Sequence, residues 1–150
     1  MRLLILSDSH RYMDFMERCV EVLRPDCVIH LGDYYPDGHS LRALSPGASF
    51  YQVPGNCDEY SCDPFLPRIL MPTIDGVRFY LTHGHHHNPD NLPPLPEGSV
   101  FLSGHTHVKI DEVHKGVRCL NPGSVSIPKD GSHSCLIFEN GKFSFRILEE

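Results

Sequence analysis

The chain lacks four things, and each absence closes off a class of protein. None of its six cysteines (Cys19, Cys27, Cys57, Cys62, Cys119 and Cys135) forms a Cys-x-x-Cys pair, so neither a zinc knuckle nor a dithiol redox motif is spelled out. In a reducing cytosol such dispersed cysteines are buried thiols. No apolar run reaches membrane-spanning length, and Met1 leads straight into Arg2-Leu3-Leu4-Ile5-Leu6 without the charged n-region, apolar h-region and cleavage site of a secretory leader. The expectation is a soluble, cytoplasmic protein with no membrane partner. Basic residues never run together, and 13 Lys+Arg stand against 19 Asp+Glu for a formal net charge of −6, which argues against extended nucleic-acid or anionic-membrane binding. No internal repeat, low-complexity tract or linker interrupts the 150 residues. A single domain over residues 1–150 is expected, large enough to bury roughly two-thirds of its unfolded surface without disulfides or a structural metal.

Histidine, by contrast, is abundant. The chain has 11, six of them between His83 and His107. The pattern around them starts from apolar runs that end on polar residues. Leu3 to Leu6 is short and apolar throughout, which suits a strand buried on both faces, and Ser7-Asp8-Ser9-His10 follows it. Tyr12, Met13, Met16, Cys19, Val20 and Leu23 recur at helical spacing until Pro25, giving a helix that covers the sheet. Cys27 to Leu31 reads as a second buried strand ending in Gly32-Asp33, with His30 a hydrogen-bonded core residue. Asp37 to Leu44 allows a short helix, and Tyr34-Tyr35 reads as packing or pocket wall. Phe50 to Val53 reads as a third strand, leading through Pro54-Gly55 to Asn56.

Between Phe65 and Thr73, prolines flank Arg68-Ile69-Leu70-Met71, an expected edge strand, and Asp75-Gly76 makes a hairpin turn. Val77, Phe79 and Leu81 alternate with Arg78, Tyr80 and Thr82, the pattern of a strand with one buried face, which delivers His83-Gly84-His85-His86-His87. Four prolines from Pro89 to Pro96 exclude a long helix and predict a stiff loop beside the histidines. Val100-Phe101-Leu102 then runs into Gly104-His105-Thr106-His107. In the last third, Val108–Val113, Val117–Leu120, Cys135–Phe138 and Phe143–Leu148 are strands joined by Lys115-Gly116, Asp130-Gly131 and Asn140-Gly141 turns. They are expected to form a second sheet packed on the first, giving one α/β sandwich.

Two histidines one residue apart on a loop are ordinarily solvated. Here, though, five strand ends present Asp8 with His10, Asp33, Asn56, His83, and His105 with His107. Ligand sites of α/β sheets gather at the carboxyl ends of strands, where loops splay open above rigid positions. Two carboxylates, one amide and four imidazoles are too many for one tetrahedral metal and suit two five- or six-coordinate ions.

Motif by motif and in order, Asp8-x-His10, Gly32-Asp33, Gly55-Asn56, His83 and Gly104-His105-Thr106-His107 resemble the calcineurin-like metallophosphoesterase superfamily. His83-Gly84-His85, Asn88-Pro89-Asp90-Asn91-Leu92-Pro93-Pro94 and Asn121-Pro122-Gly123-Ser124-Val125-Ser126 are similar to its small YfcE-like phosphodiesterase branch. The resemblance implies two packed β-sheets flanked by helices (αββα) and a phosphoesterase, most simply a phosphodiesterase acting on a small phosphate ester. It implies one ion on Asp8, His10, Asp33 and His107 and a second on Asp33, Asn56, His83 and His105, with Asp33 bridging. In-line attack would come from a hydroxide between the ions, which in such sites lie about 3.5–4 Å apart. Ligands without thiolate tolerate iron, cobalt, nickel or zinc, and the resemblance tilts the choice to manganese. Bound cations would reverse the local sign of the field in this acidic protein.

One departure stands out, because Cys57 follows Asn56 where many relatives have a histidine thought to protonate the leaving group. A thiol with a pKa of about 8.5 is a poor general acid at neutral pH. His85 is the candidate donor, which with Asp33 and Asn56 completes the catalytic set, and Cys57 itself reads as a small packed residue. Asp58 reads as a turn cap, while Ser124 and Ser126 are split between phosphate contact and a tight turn. His39, His86, His87, His114 and His133 read as solvated or loop-stabilising. Two alternatives share the fold: a phosphomonoesterase using the same ions, and a protein-binding scaffold of the retromer-subunit type, whose signature is lost ligands. A DNA-processing nuclease is disfavoured by size and charge. Homo-oligomerisation through apolar residues of the proline-rich segment would follow the relatives.

Overall fold

Leu3, Leu4, Ile5 and Leu6 are all fully buried, and their period of two sends them into different cores. Leu3 and Ile5 face a core between two sheets, whereas Leu4 and Leu6 pack under a helix. A strand apolar on every residue thus needs cover on both faces, and the computed structural model supplies it. It describes residues 2–7, 13–32, 47–55, 67–84, 87–89, 91–106, 108–123 and 133–148.

Strand β1 (Arg2–Leu6) is followed by helix α1 (Met13–Leu23), β2 (Cys27–His30) and β3 (Ser49–Gln52), and β1, β2 and β3 pair in parallel. Met16, Cys19, Val20 and Leu23 form the buried stripe of α1, at the expected i, i+3, i+4, i+7 spacing. Burying each of the larger of these side chains contributes roughly 1.5–3 kcal/mol. The helix ends where Arg24 turns left-handed (φ 45°) ahead of Pro25.

The hairpin β4 (Thr73–Ile74) to β5 (Val77–Leu81) opens the second sheet, followed by β6 (Val100–Leu102), β7 (Lys109–His114) and β8 (Val117–Pro122). Its order is β4-β5-β6-β8-β7, with β5, β6 and β8 parallel. The final hairpin, β9 (His133–Glu139) and β10 (Lys142–Leu148), joins the first sheet, in the order β10-β9-β1-β2-β3. This corrects the expectation that all late strands form the second sheet. An Asn-Gly turn specifies a hairpin locally but carries no information about which distant edge the hairpin will cover. The sandwich of two sheets stands.

Two further corrections concern β4 and β5. Leu70 makes an isolated bridge to Leu81, while Ile69 and Met71 are exposed, so the edge strand is Thr73–Ile74 and not 68–71. On β5, Tyr80 is buried along with Phe79 and Leu81, as is Thr82 just after it, so both faces are covered at its C-terminal half. The cover on the outer face is Leu92 and Leu95 of the proline-rich segment, packed with Tyr80, Phe101, Val117 and Cys119. That segment contains no helix among its described residues and does the work expected of a flanking layer.

Arg118 ties the two sheets near one edge. Its guanidinium forks onto Asp111 (3.0 and 2.9 Å) and lies 4.9 Å from the ring centroid of Phe143 on β10. Cys19, Cys27, Cys119 and Cys135 are free and buried, as expected, with the Cys19 and Cys135 sulfurs 3.7 Å apart. Burial pushes the Cys27 thiol up to about 11. Among the described residues no helix is long and apolar enough to cross a membrane. The expected helix at 37–44 and the Asp130-Gly131 turn lie outside the described residues, as do Tyr34 and Tyr35.

Candidate active site

Five strands end together because backbone hydrogen bonds continue past their formal limits. In the first sheet Leu31 N–H donates to Leu6 O (2.9 Å) and Val53 N–H to His30 O (3.1 Å), which aligns the ends of β1, β2 and β3. In the second sheet Thr82 N–H donates to Leu102 O (3.1 Å) and Gly104 N–H to His83 O (2.7 Å), which locks the end of β5 to that of β6. Ser7, Leu31, Gly32, Val53, Gly55, His83 and Gly104 are all buried.

The two sheets are joined at this rim by His83. Its Nδ1 lies 2.7 Å from Leu31 O, and since a carbonyl only accepts, Nδ1 carries the proton. In the neutral ring the lone pair is therefore on Nε2, the arrangement of a histidine whose second nitrogen can bind a metal. Gly32 permits this approach. A Cβ there would stand 2.6 Å from Gly55 N, 2.8 Å from Gly55 Cα and 2.9 Å from His83 Nδ1, and its φ of 101° belongs to glycine.

His105 is held against His83, with ring centroids 5.1 Å apart and planes at 71°. It adopts φ 72°, and Thr106 N–H donates to Gly104 O across it (2.9 Å), so His105 is the central residue of a positive-φ γ-turn. For a non-glycine residue this backbone costs on the order of 1–3 kcal/mol and persists only where its surroundings impose it. Asn121, at the end of β8, does so. Its Nδ2 donates to Gly104 O (2.9 Å) and Thr106 Oγ1 (3.0 Å), while its Oδ1 accepts from Gly123 N–H (2.9 Å).

Of the residues expected to form the site, His83 and His105 are described and adjacent. Asp8, His10, Asp33, Asn56, His85 and His107 lie outside the described residues, as do Cys57, Asp58, His39, His86, Ser124 and Ser126. Ser7, Gly32 and Gly55, the residues immediately ahead of Asp8, Asp33 and Asn56, sit at this rim. Among the described residues no three His, Cys, Asp or Glu side chains cluster. His30 is the core histidine expected, accepting from Gly32 N–H at 3.2 Å. His87 reads as loop-stabilising, edge-on to Tyr80 and with Nδ1 3.4 Å from Asn91 O, and His114 lies 2.7 Å from Glu112. Sequence reasoning missed the part played by Asn121, although it ends a strand beside the others.

The calcineurin-like phosphoesterase superfamily domain model matches residues 1–142. Phosphodiesterase YfcE of Escherichia coli strain K12 is 31% identical over 154 residues, an alignment covering 88% of this chain and 83% of the relative. The solved structure of the E. coli phosphoesterase YfcE superposes with a TM-score of 0.78 at 24% identity, covering 99% of this chain and 100% of the other. Vps29 from Chaetomium thermophilum superposes with a TM-score of 0.69 at 17% identity, covering 98% and 94%. At these identities the two structures speak for the fold.

Proposed function

The chain belongs to the calcineurin-like phosphoesterase superfamily and is a phosphoric ester hydrolase, and from that premise we propose a two-metal phosphodiesterase acting on a small phosphate ester. In this reading Asp8, His10, Asp33 and His107 hold one divalent ion, and Asp33, Asn56, His83 and His105 the other, manganese for preference. The observation that carries it is the His83 imidazole, which is fixed by Leu31 O in the tautomer a ligand needs and faces the His105 ring. The donor set is imidazole, carboxylate and amide without thiolate, which suits such ions. When bound, the pair would supply an acidified water and a positive clamp for phosphoryl oxygens.

The protein's own residues do the rest. His83 and Gly32 bring both sheets to one rim, which supports a reading in which ligands from five strand ends would share one centre. Asp33 spans both sites, and Asn56 contributes a neutral oxygen that leaves the substrate's charge to the ions. His85 serves as proton donor to the leaving group in place of the histidine absent at Cys57. A donor not held directly beside Asn56 favours diesters with good leaving groups over monoesters.

The test is hydrolysis of bis(nitrophenyl) phosphate by chelator-stripped protein with and without manganese, beside the matching monoester. Manganese should restore turnover, faster on the diester, and Asp33→Asn should lower it by about 10³-fold or more. Metal-dependent turnover that survives Asp33→Asn would refute the ligand assignment. The Vps29 likeness concerns the fold and does not favour a scaffold over an enzyme.

A further inference from the structure

We infer that Asn121 is a positioning residue that sets His105 for metal binding, and this inference rests on the two-metal reading above. The orientation of its amide follows from chemistry. Gly123 N–H can only donate, so the group facing it is Oδ1, and the two hydrogens of Nδ2 must then face Gly104 O and Thr106 Oγ1. Those two acceptors stand on either side of His105 in the chain. One side chain thus grips both flanks of a turn whose central residue holds φ 72°.

Gly104 O receives two donors, Thr106 N–H across the turn and Asn121 Nδ2 from the neighbouring strand, which uses both of its lone pairs. The support beneath is rigid. β8 runs parallel to β6 through Leu102↔Leu120, and Ser103 N–H donates to Leu120 O at 3.1 Å. Asn121 is 1% exposed, so water does not substitute for its bonds. The turn that carries His105 is therefore braced from β8, a strand that itself carries none of the proposed ligands, and its ring leaves that braced backbone toward His83. Partners that orient ligands in this way affect metal affinity about 10–100-fold when lost.

Asn121→Asp isolates the effect. The carboxylate keeps an acceptor for Gly123 N–H and nearly the same shape, but it sets an oxygen against Gly104 O where a donor stood. Manganese titration of the chelator-stripped protein by calorimetry should show one of the two ions bound about 10–100-fold more weakly, the other much less affected. The melting temperature of the metal-free variant, taken alongside, separates positioning from general destabilisation. Unchanged affinity for both ions, with or without a lowered melting temperature, would overturn the inference and leave the two-metal reading standing. A wild-type protein that binds no divalent ion would overturn both. If Asn121→Asp does not fold, Thr106→Val decides, because it removes one acceptor from an exposed residue. It should weaken the same ion by about 2–10-fold, and no change would refute the proposal.

Discussion

The two ends of the first sheet are held by opposite means. At the rim bearing His83, contacts are buried and short and involve backbone on at least one side: Gly32 against Gly55, the His83 imidazole against Leu31 O, Gly104 N–H against His83 O. At the far rim, Arg2 forks onto Glu139 (3.0 and 3.1 Å), reaches the Leu23 carbonyl, and gives its own N–H to Asp26 (2.8 Å), all near solvent. There the Asn140-Gly141 turn closes β9 onto β10 with open space around Gly141. Charge pairs at a surface tolerate adjustment, and buried contacts between backbones do not. A site that must hold several ligands in register belongs on the unyielding rim.

The largest effect should come from Gly32→Ala, which meets both a left-handed φ and backbone atoms under 3 Å away. Strain and overpacking together should cost about 3–5 kcal/mol in urea unfolding, and metal-dependent turnover should fall with it. Next comes His83→Ala, which leaves Leu31 O without its donor, a loss of about 1–3 kcal/mol. In thermal melts manganese should raise the wild-type midpoint, each ion by an amount equivalent to about 2.7 kcal/mol at a hundredfold excess over its Kd, and raise the variant's midpoint by less, because only the proposed ion on Asp8, His10, Asp33 and His107 keeps its full ligand set. Gly141→Ala shares the positive φ (75°) but meets nothing within 4 Å, so about 1–2 kcal/mol is expected, with turnover intact. Equal costs for the two glycine substitutions would erase the contrast between the rims.

The smallest effect belongs to Glu139→Gln. The hydrogen bond and charge of Arg2 hold the Glu139 carboxyl below the usual glutamate range, so its folded-state pKa lies under the unfolded one. The pair's contribution is then complete above about pH 4.5 and fades as pH falls through the lowered value. Acid unfolding curves of wild type and Glu139→Gln should differ slightly near neutral pH and converge in acid, and added salt should narrow the gap. A large difference at neutral pH would mean that the exposed pair holds the sheet after all.

Local patterns were readable where neighbours in sequence decide the outcome. The apolar run Leu3–Leu6 of β1, the Met16–Leu23 stripe, and the presence of strands just before His83 and Gly104 all stand as expected. Features decided by distant partners were not readable. The alternation in β5 points Tyr80 to solvent, and nothing near it in sequence announces that Leu92 and Leu95 cover it. Residues 68–71 read as an edge strand, yet only Leu70 makes a β-bridge there, and the ladder resumes after Pro72, which has no N–H to give. At the site, ligand types and strand ends were visible, but the tautomer of His83 depends on a carbonyl 52 residues away. The motif Asn121-Pro122-Gly123-Ser124 names Asn121 but not its role, which depends on Gly104 and Thr106 lying beside the end of β8.

The return of the last hairpin to the first sheet also has a meaning in time. Arg2 and Glu139, 137 residues apart, are neighbours across β1 and β9, and Leu3 pairs with Phe138. During synthesis β1 can pair with β2 soon after both emerge, but its other side waits for β9, which follows much later in the chain. Until then an apolar edge stays open to aggregation or to a chaperone. Closure of the sheet is a late, long-range event, so slow folding is built into the topology that holds the site.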